Sequence, residues 1–232
     1  MNSGAIPRLL ILETSGRTGQ VALALGDELR SVRRLDETRR QARDLAPAMA
    51  ALLAEQGWRP REVQAVLVSR GPGSYTGLRV GIMSAKTFAY ATGCALLAVD
   101  TFTAIAWQAP QPIARVDVLA DAQQDKVYVQ PFARGADGWR PSADLTIRRF
   151  ADWLAARQTD AWVMGPGLHK WASQLSADVP MVDASLWEPR PASLLHLGLA
   201  RYALGERDDP WALEPLYLRP SSAEEQWRAR SS

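Results

Sequence analysis

Cysteine and histidine are nearly absent from this chain, and each shortage closes off a kind of chemistry. Cys94 is the single cysteine, so no internal disulfide can form, and its place at the start of an apolar run reads as a buried thiol. His169 and His196 are the only histidines, and neither stands in an H-x-x-x-H or H-E-x-x-H pair that would bring two imidazoles to one metal ion. Both are therefore read as structural, and no metal site is expected. A G-x-S-x-G elbow for a nucleophilic serine is missing too; Gly71 to Gly77 only looks similar at a glance. No apolar run reaches the roughly 18 residues of a membrane span, and Pro7 and Arg8 break the early apolar residues where a signal sequence would need continuity. The expectation is a cytoplasmic protein. A net charge of +2 is too small for a nucleic-acid coat, so partners must be argued from local sites.

What remains is an ordinary globular composition, 47% apolar and 22% charged over 232 residues, enough for one domain or two small ones. The stretch from Val63 to Asp100 organises the rest. An apolar strand (Val63, Ala65 to Val68) empties into a glycine loop (Gly71, Gly73, Gly77), a helical segment runs to Thr92, Gly93 stops it, and a second strand follows. Such a βαβ turn lies where α/β sheets place function. It is not a P-loop, because Gly77 is followed by Leu78 and Arg79 rather than lysine and a hydroxyl residue. It also departs from the dinucleotide pattern by one residue, reading G-x-G-x-x-x-G, and Pro72 removes a backbone donor from the cradle. A nucleotide- or NAD-binding enzyme built on Gly71, Gly73, Gly77 and Asp100 remains the alternative.

Within the helix, Gly77, Gly81, Ala85, Ala89 and Gly93 recur every fourth residue and form one ridge almost without side chains. Interior glycine costs about 1 kcal/mol relative to alanine, so a neighbouring backbone must come close. The neighbour is either part of the same fold or a helix of another protein.

Upstream, residues 9–12 read as a strand ending at Glu13, a turn leads into QVALALG, and Gly26-Asp27 turns into a third strand. Residues 39–56 are helical in pattern, with Ala42, Leu45, Met49, Leu52 and Leu53 on one face, Asp44 available as a cap, and Pro47 tolerable in the first turn. The order through Asp100 is β-β-β-α-β-α-β. A dinucleotide fold would place its glycine loop after the first strand, not the fourth. Residues 116–132 again read as strand, Asp121, polar turn, strand. Downstream come a turn-rich stretch (133–144), an amphipathic helix (148–158), a strand entering a glycine turn (161–168), and short helices at 171–175 and 192–204.

GPGSYTGLRVGIMSAK resembles the signature of the TsaB (YeaZ) family, where phenylalanine commonly stands at Tyr75; Gly71, Pro72, Gly73, Ser74, Tyr75, Thr76, Gly77 and Arg79 carry the match. The element order is similar to one lobe of the actin/Hsp70/sugar-kinase (ASKHA) fold. The resemblance implies an α/β, two-lobed protein, with an N-terminal lobe over 1–104, a reduced second lobe over 105–220 and a disordered tail over 221–232. It implies a non-catalytic subunit of the bacterial t6A tRNA-modification complex that binds the catalytic TsaD, with the ATPase TsaE completing the assembly, and a homodimer when TsaD is absent.

The implied TsaD contact is through the helices at 39–56 and 76–92, which places Ala42, Leu45, Met49, Leu52, Gly77, Gly81, Ala85 and Ala89 at the interface. Glu13, Thr14 and Ser15 match the first phosphate loop of the superfamily, with glutamate in place of the usual aspartate. Asp121 matches the second. No glycine or threonine follows it in residues 122–125, so both loops read as vestiges, with no cofactor. The H-x-x-x-H metal motif of TsaD has no counterpart in TRRQARDLAP, which opens the first long helix. Contact with tRNA is either indirect or through the arginine run from Arg30 to Arg43.

Overall fold

The computed structural model describes residues 6–35 and 41–218, the side chains of Gln41 and Ala42 excepted. Three antiparallel-linked strands open the chain: β1 (Arg8–Glu13), β2 (Gln20–Leu25) and β3 (Glu28–Arg34). Helix α1 (Gln41–Glu55), β4 (Ala65–Gly71), α2 (Tyr75–Thr92) and β5 (Ala95–Asp100) complete a sheet of order β3-β2-β1-β4-β5, in which β1, β4 and β5 run parallel. This is the β-β-β-α-β-α-β order expected from the sequence. Strands β1 and β4 are apolar on every residue from Leu9 to Leu12 and Ala65 to Val68 because both faces of the sheet are covered. Leu10, Leu12, Val66 and Val68 face α1 and α2, whereas Leu9, Ile11, Ala65 and Leu67 face the opposite layer.

That opposite layer comes from far along the chain. Helix α3 (Thr101–Ala106) follows β5, and α6 (Pro191–Ala203) returns from the C-terminal part to lay Leu194 and Leu195 on the sheet. Between them lie β6 (Arg115–Asp121), β7 (Lys126–Gly135), β8 (Gly138–Pro141), β9 (Thr146–Arg149), α4 (Phe150–Ala156), β10 (Trp162–Met164) and α5 (Leu168–Trp171). They form a second sheet of order β10-β6-β7-β8, with β9 also paired to β7. Helix α3 spans residue 104, where the sequence divides the lobes. Ala104 packs on the first sheet and Phe102, Ile105 and Ala106 on the second.

Two local features differ from the sequence reading. Pro47 lies at the seventh residue of α1 rather than in its first turn. It is on the exposed side, where the carbonyl of Arg43 that loses its amide partner can turn towards solvent. The turn-rich stretch 133–144 holds the end of β7 and all of β8, paired as a hairpin about a Gly138 with φ of +102°.

After α6 the chain straps the first lobe. The Asp208 amide donates to Leu96 O (2.8 Å), the Asp208 carboxylate accepts from the Ala98 amide (2.6 Å), and Arg201 holds that carboxylate with two bonds of 3.0 and 3.1 Å. Trp211 then meets Tyr90 edge-on at 6.0 Å, Leu213 enters the core beneath α2, and the Leu216 amide donates to Arg70 O (2.8 Å). Residues 208–217 thereby run from the C-terminal end of α2 back to its N-terminal end.

Candidate functional site

A cleft of about 740 Å³ lies between the lobes, walled by the β1–β2 loop, the β4–α2 loop, the β6–β7 hairpin and the start of α5. The first wall is built on Glu13, which ends β1 and is fully buried. One of its oxygens, Oε1, accepts from the Ser15 amide (2.7 Å), the Ser15 hydroxyl (2.5 Å) and the Gly16 amide (3.2 Å). Burial raises its carboxyl above the ordinary value, and bonds from Ser15, Ser69 and Gly16 oppose that rise.

The β4–α2 loop is pinned to the first. Gly71 has φ of +114°, the Gly71–Pro72 bond is cis, and the Ser74 amide donates to Ser15 O (2.8 Å). Ser74 caps α2 by accepting from the Gly77 amide (3.2 Å), which is why the helix starts here. Gly73 and Gly81 answer the question posed by the small-residue ridge. A Cβ on Gly73 would lie 2.5 Å from Ser15 O, and one on Gly81 would lie 2.0 Å from Thr14 Oγ1. The close neighbour is therefore the β1–β2 loop of the same chain. Gly77, Gly81, Ala85 and Ala89 are buried, and Ala85 and Ala89 share a core with Leu45, Met49 and Leu52. Within the single chain these side chains lie on the inner face of the lobe; the Ala42 side chain lies outside the described residues. The exposed stripe of α2 is Thr76, Arg79, Met83, Thr87 and Tyr90.

Across the cleft, Asp121 accepts from the Gln123 amide and from Lys170 Nζ, each at 3.1 Å. Gln123, Gln124 and Asp125 all have positive φ (60°, 49° and 57°), a conformation that glycine adopts more readily. His169 Nε2 lies 3.0 Å from Glu188 Oε1, and Glu188 Oε2 is packed against Gly16 of the first lobe. At the cleft mouth, Tyr75 and Tyr217 stack at 4.8 Å, with the Arg79 guanidinium 4.2 Å over Tyr75 and its Nε donating to the Tyr217 hydroxyl (3.0 Å). Sequence reading missed Lys170, Glu188 and Tyr217 as wall residues, since each meets its partner only through long-range folding. Asp100, needed by the dinucleotide alternative, is engaged by Arg70 of the neighbouring strand.

The arginine run falls on edge strand β3 and the start of α1. Arg30 pairs with Glu28 (3.0 Å) and Arg33 with Glu55 (2.5 Å), and Arg34 and Arg43 are exposed; Arg39 and Arg40 lie outside the described residues, as does the tail 221–232. Charged side chains on an edge strand also discourage strand-to-strand aggregation. Among the described residues there is no group of three or more His, Cys, Asp or Glu side chains placed to hold a metal ion, and no helix is long and apolar enough to cross a membrane.

Away from the cleft, Asp117 is 6% exposed, accepts from Trp153 Nε1 (2.9 Å), and has its carboxyl raised by burial. A raised carboxyl favours folding while protonated. Its contribution is complete below the unfolded value near 3.8 and is lost as pH rises through the folded value. Asp117→Asn keeps an acceptor for Trp153 and never charges. Its melting temperature is expected to gain on the wild type between pH 4 and pH 7; an equal difference at both pH values would contradict this.

Two α/β lobes joined across a cleft, with a hairpin loop from each facing the other, define a protein of the actin/Hsp70/sugar-kinase-like (ASKHA) class. The model of the TsaD family, tRNA N6-adenosine threonylcarbamoyltransferase, matches residues 33–206. The tRNA threonylcarbamoyladenosine biosynthesis protein TsaB of Bacillus subtilis is 30% identical over 194 residues, covering 78% of this chain and 80% of that one. TsaB of Haemophilus influenzae is 27% identical over 222 residues, covering 91% and 93%. The solved structure of YeaZ from Pseudomonas aeruginosa has a TM-score of 0.78 at 27% identity, covering 92% of this chain and all of that one. The chain belongs to the TsaB (YeaZ) family.

Proposed function

We propose that this protein is the scaffold and activating subunit of the t6A complex, binding TsaD and enabling threonylcarbamoyl transfer to adenosine 37 of tRNA without catalysing it. The relatives named for tRNA threonylcarbamoyladenosine biosynthesis, matched over most of the chain, carry this reading. The cleft supports the non-catalytic part. The amides of its first loop are taken by Glu13, the carboxylate of its second by Lys170, and His169 by Glu188.

The exposed stripe of α2 supports the docking part. Met83 is 59% exposed, Tyr90 76% and Trp211 81%, and the last two are in contact. A partner of related fold offers an equivalent helix, so the two can meet about a near-two-fold axis. TsaE would join that assembly, and tRNA contact would fall to TsaD or to the arginines of β3. With TsaD absent, the same stripe would serve a homodimer. The working compartment is then the cytoplasm, where tRNA is modified.

Reconstitution with TsaD and TsaE from the same genome tests this. Modified tRNA is expected only when this chain is added, and Asp121→Ala is expected to support the same rate. ATP turnover by the isolated chain that Asp121→Ala abolishes would refute the scaffold reading.

A further inference from the structure

Strand β5 ends the first sheet on one side, and its sequence from Ala95 to Val99 holds neither a charge nor a proline. An apolar edge of that kind is a template for a strand of another chain, because its outward amides and carbonyls await partners. The opposite edge, β3, carries Glu28, Arg30, Arg33 and Arg34, which discourage such pairing. β5 has no equivalent among its own side chains.

Alternation along the strand fixes which backbone groups face out. The Ala95 amide donates to Gln64 O on the β4 side (2.9 Å), so Ala95, Leu97 and Val99 pair inwards while Leu96 and Ala98 turn their amides and carbonyls to the edge. Three of these outward groups are taken by two residues from the end of α6 and the strap. The Asp208 amide donates to Leu96 O (2.8 Å), the Ala98 amide donates to Asp208 Oδ2 (2.6 Å), and Arg201 Nη1 donates to Ala98 O (2.5 Å).

This is the bonding of a parallel ladder. A strand residue opposite Leu97 would donate its amide to Leu96 O and accept the Ala98 amide on its carbonyl, and the residue two further on would donate to Ala98 O. Asp208 makes the first two bonds, with a carboxylate oxygen in place of the carbonyl, and Arg201 makes the third. Arg201 is held for that task by Glu206 on Nε (2.6 Å) and by the Asp208 carboxylate on Nη1 and Nη2. The chain then turns away from the edge, because Asp209 accepts from the Trp211 amide on its carboxylate (2.8 Å) and from the Ala212 amide on its carbonyl (3.2 Å).

We infer that Asp208 and Arg201 act as a surrogate strand that closes the β5 edge, and that without them this edge pairs with the β5 edge of a second copy of the chain. Two copies of one apolar edge meet antiparallel about a two-fold axis, with each supplying what the other lacks. The inference does not depend on the t6A reading.

Sedimentation of an Arg201→Ala/Asp208→Ala protein tests it, with Tyr90→Asp placed in this protein and in its parent so that the α2 stripe is silent in the comparison. Removing both partners together leaves neither charge unpaired on the edge. At micromolar to millimolar concentration the double substitution should self-associate about tenfold more tightly than its parent or better. Ala98→Pro, added to it, deletes an outward amide without touching the β4 ladder and should return association to the parent level. A folded double variant that associates no more than its parent, or whose association survives Ala98→Pro, would overturn the inference.

Hydrogen exchange of the Ala98 amide reads the surrogate rung in the single chain. Exchange should be slow in the wild type, stay slow in Asp208→Asn, which keeps an acceptor oxygen, and rise about tenfold in Asp208→Ala relative to Ala95, whose amide is bonded within the sheet. An Ala98 amide that exchanges in the wild type like an open edge would overturn the inference even where the double variant does not fold, as would one that Asp208→Ala leaves unchanged.

Discussion

Alanine at position 73 is expected to lower the melting temperature by about 6–12 °C, from a cost near the upper end of the roughly 1–3 kcal/mol for overpacking at about 2–4 °C per kcal/mol in a chain of this size. The added Cβ would lie 2.5 Å from Ser15 O and 3.0 Å from Ser15 C. That backbone cannot withdraw, because Ser15 O accepts from the Ser74 amide and the Ser15 amide is held by Glu13. Gly57→Ala is the control. Gly57 has φ of +66° and nothing within 4 Å of an added Cβ, so its penalty is conformational alone, about 1–2 kcal/mol. Equal losses for the two variants would mean that the loops do not approach as closely as described. The consequence reaches the cleft, since Gly73 sets the separation between the β4–α2 loop and the β1–β2 loop.

Tyr90→Asp is expected to weaken TsaD binding by at least 30-fold while leaving the melting temperature within about 2 °C of the wild type. Tyr90 is 76% exposed and contacts Trp211, so its removal disturbs little of the core. A buried aromatic at the centre of an interface is commonly worth 2 kcal/mol or more, and a carboxylate in its place adds desolvation. Ala85→Leu is the converse. Ala85 has no exposed surface and sits among Leu45, Met49 and Leu52, so leucine there should lower stability and spare affinity in the protein that remains folded. If Ala85→Leu weakened binding without lowering stability, the inner and outer faces of α2 would have been assigned the wrong way round.

These two helix positions show where sequence reading stops. A period of four small residues states that something comes close, but geometry alone settles that the something is Thr14. The first lobe was legible because its central strands β1 and β4 are apolar along Leu9–Leu12 and Ala65–Val68 and its helices end at glycines such as Gly93, with φ of +74°. Strand β8 was hidden behind turn residues. It exists because β7 supplies its pairing and the Trp107 ring packs against Gly138, 2.2 Å from where a Cβ would be. Helix α3 was hidden for a related reason: Thr101, Thr103 and Ile105 are β-branched and favour strands, yet burial of Phe102, Ala104, Ile105 and Ala106 between two sheets overrides that preference. At the site, Glu13 was recognised by position as a loop residue. Its reach to two following amides depends on a backbone turn that no residue pattern announces.

Helix α6 and the strap that follows it carry a consequence for synthesis on the ribosome. The sheet of the first lobe is complete once Asp100 has emerged, but Leu9, Ile11, Leu67 and Leu97 on one of its faces wait for Leu194 and Leu195. At roughly 5–20 residues per second, the stretch between Asp100 and Pro191 takes on the order of 5–20 s to translate. During that interval only α3, through Ala104, is at hand to cover that apolar sheet face, and the β5 edge is uncovered, the features that recruit chaperones or a second nascent chain. Completion of the N-terminal lobe is thus a late event in the life of the polypeptide, and chains interrupted before residue 191 are fated for capture or degradation rather than for assembly.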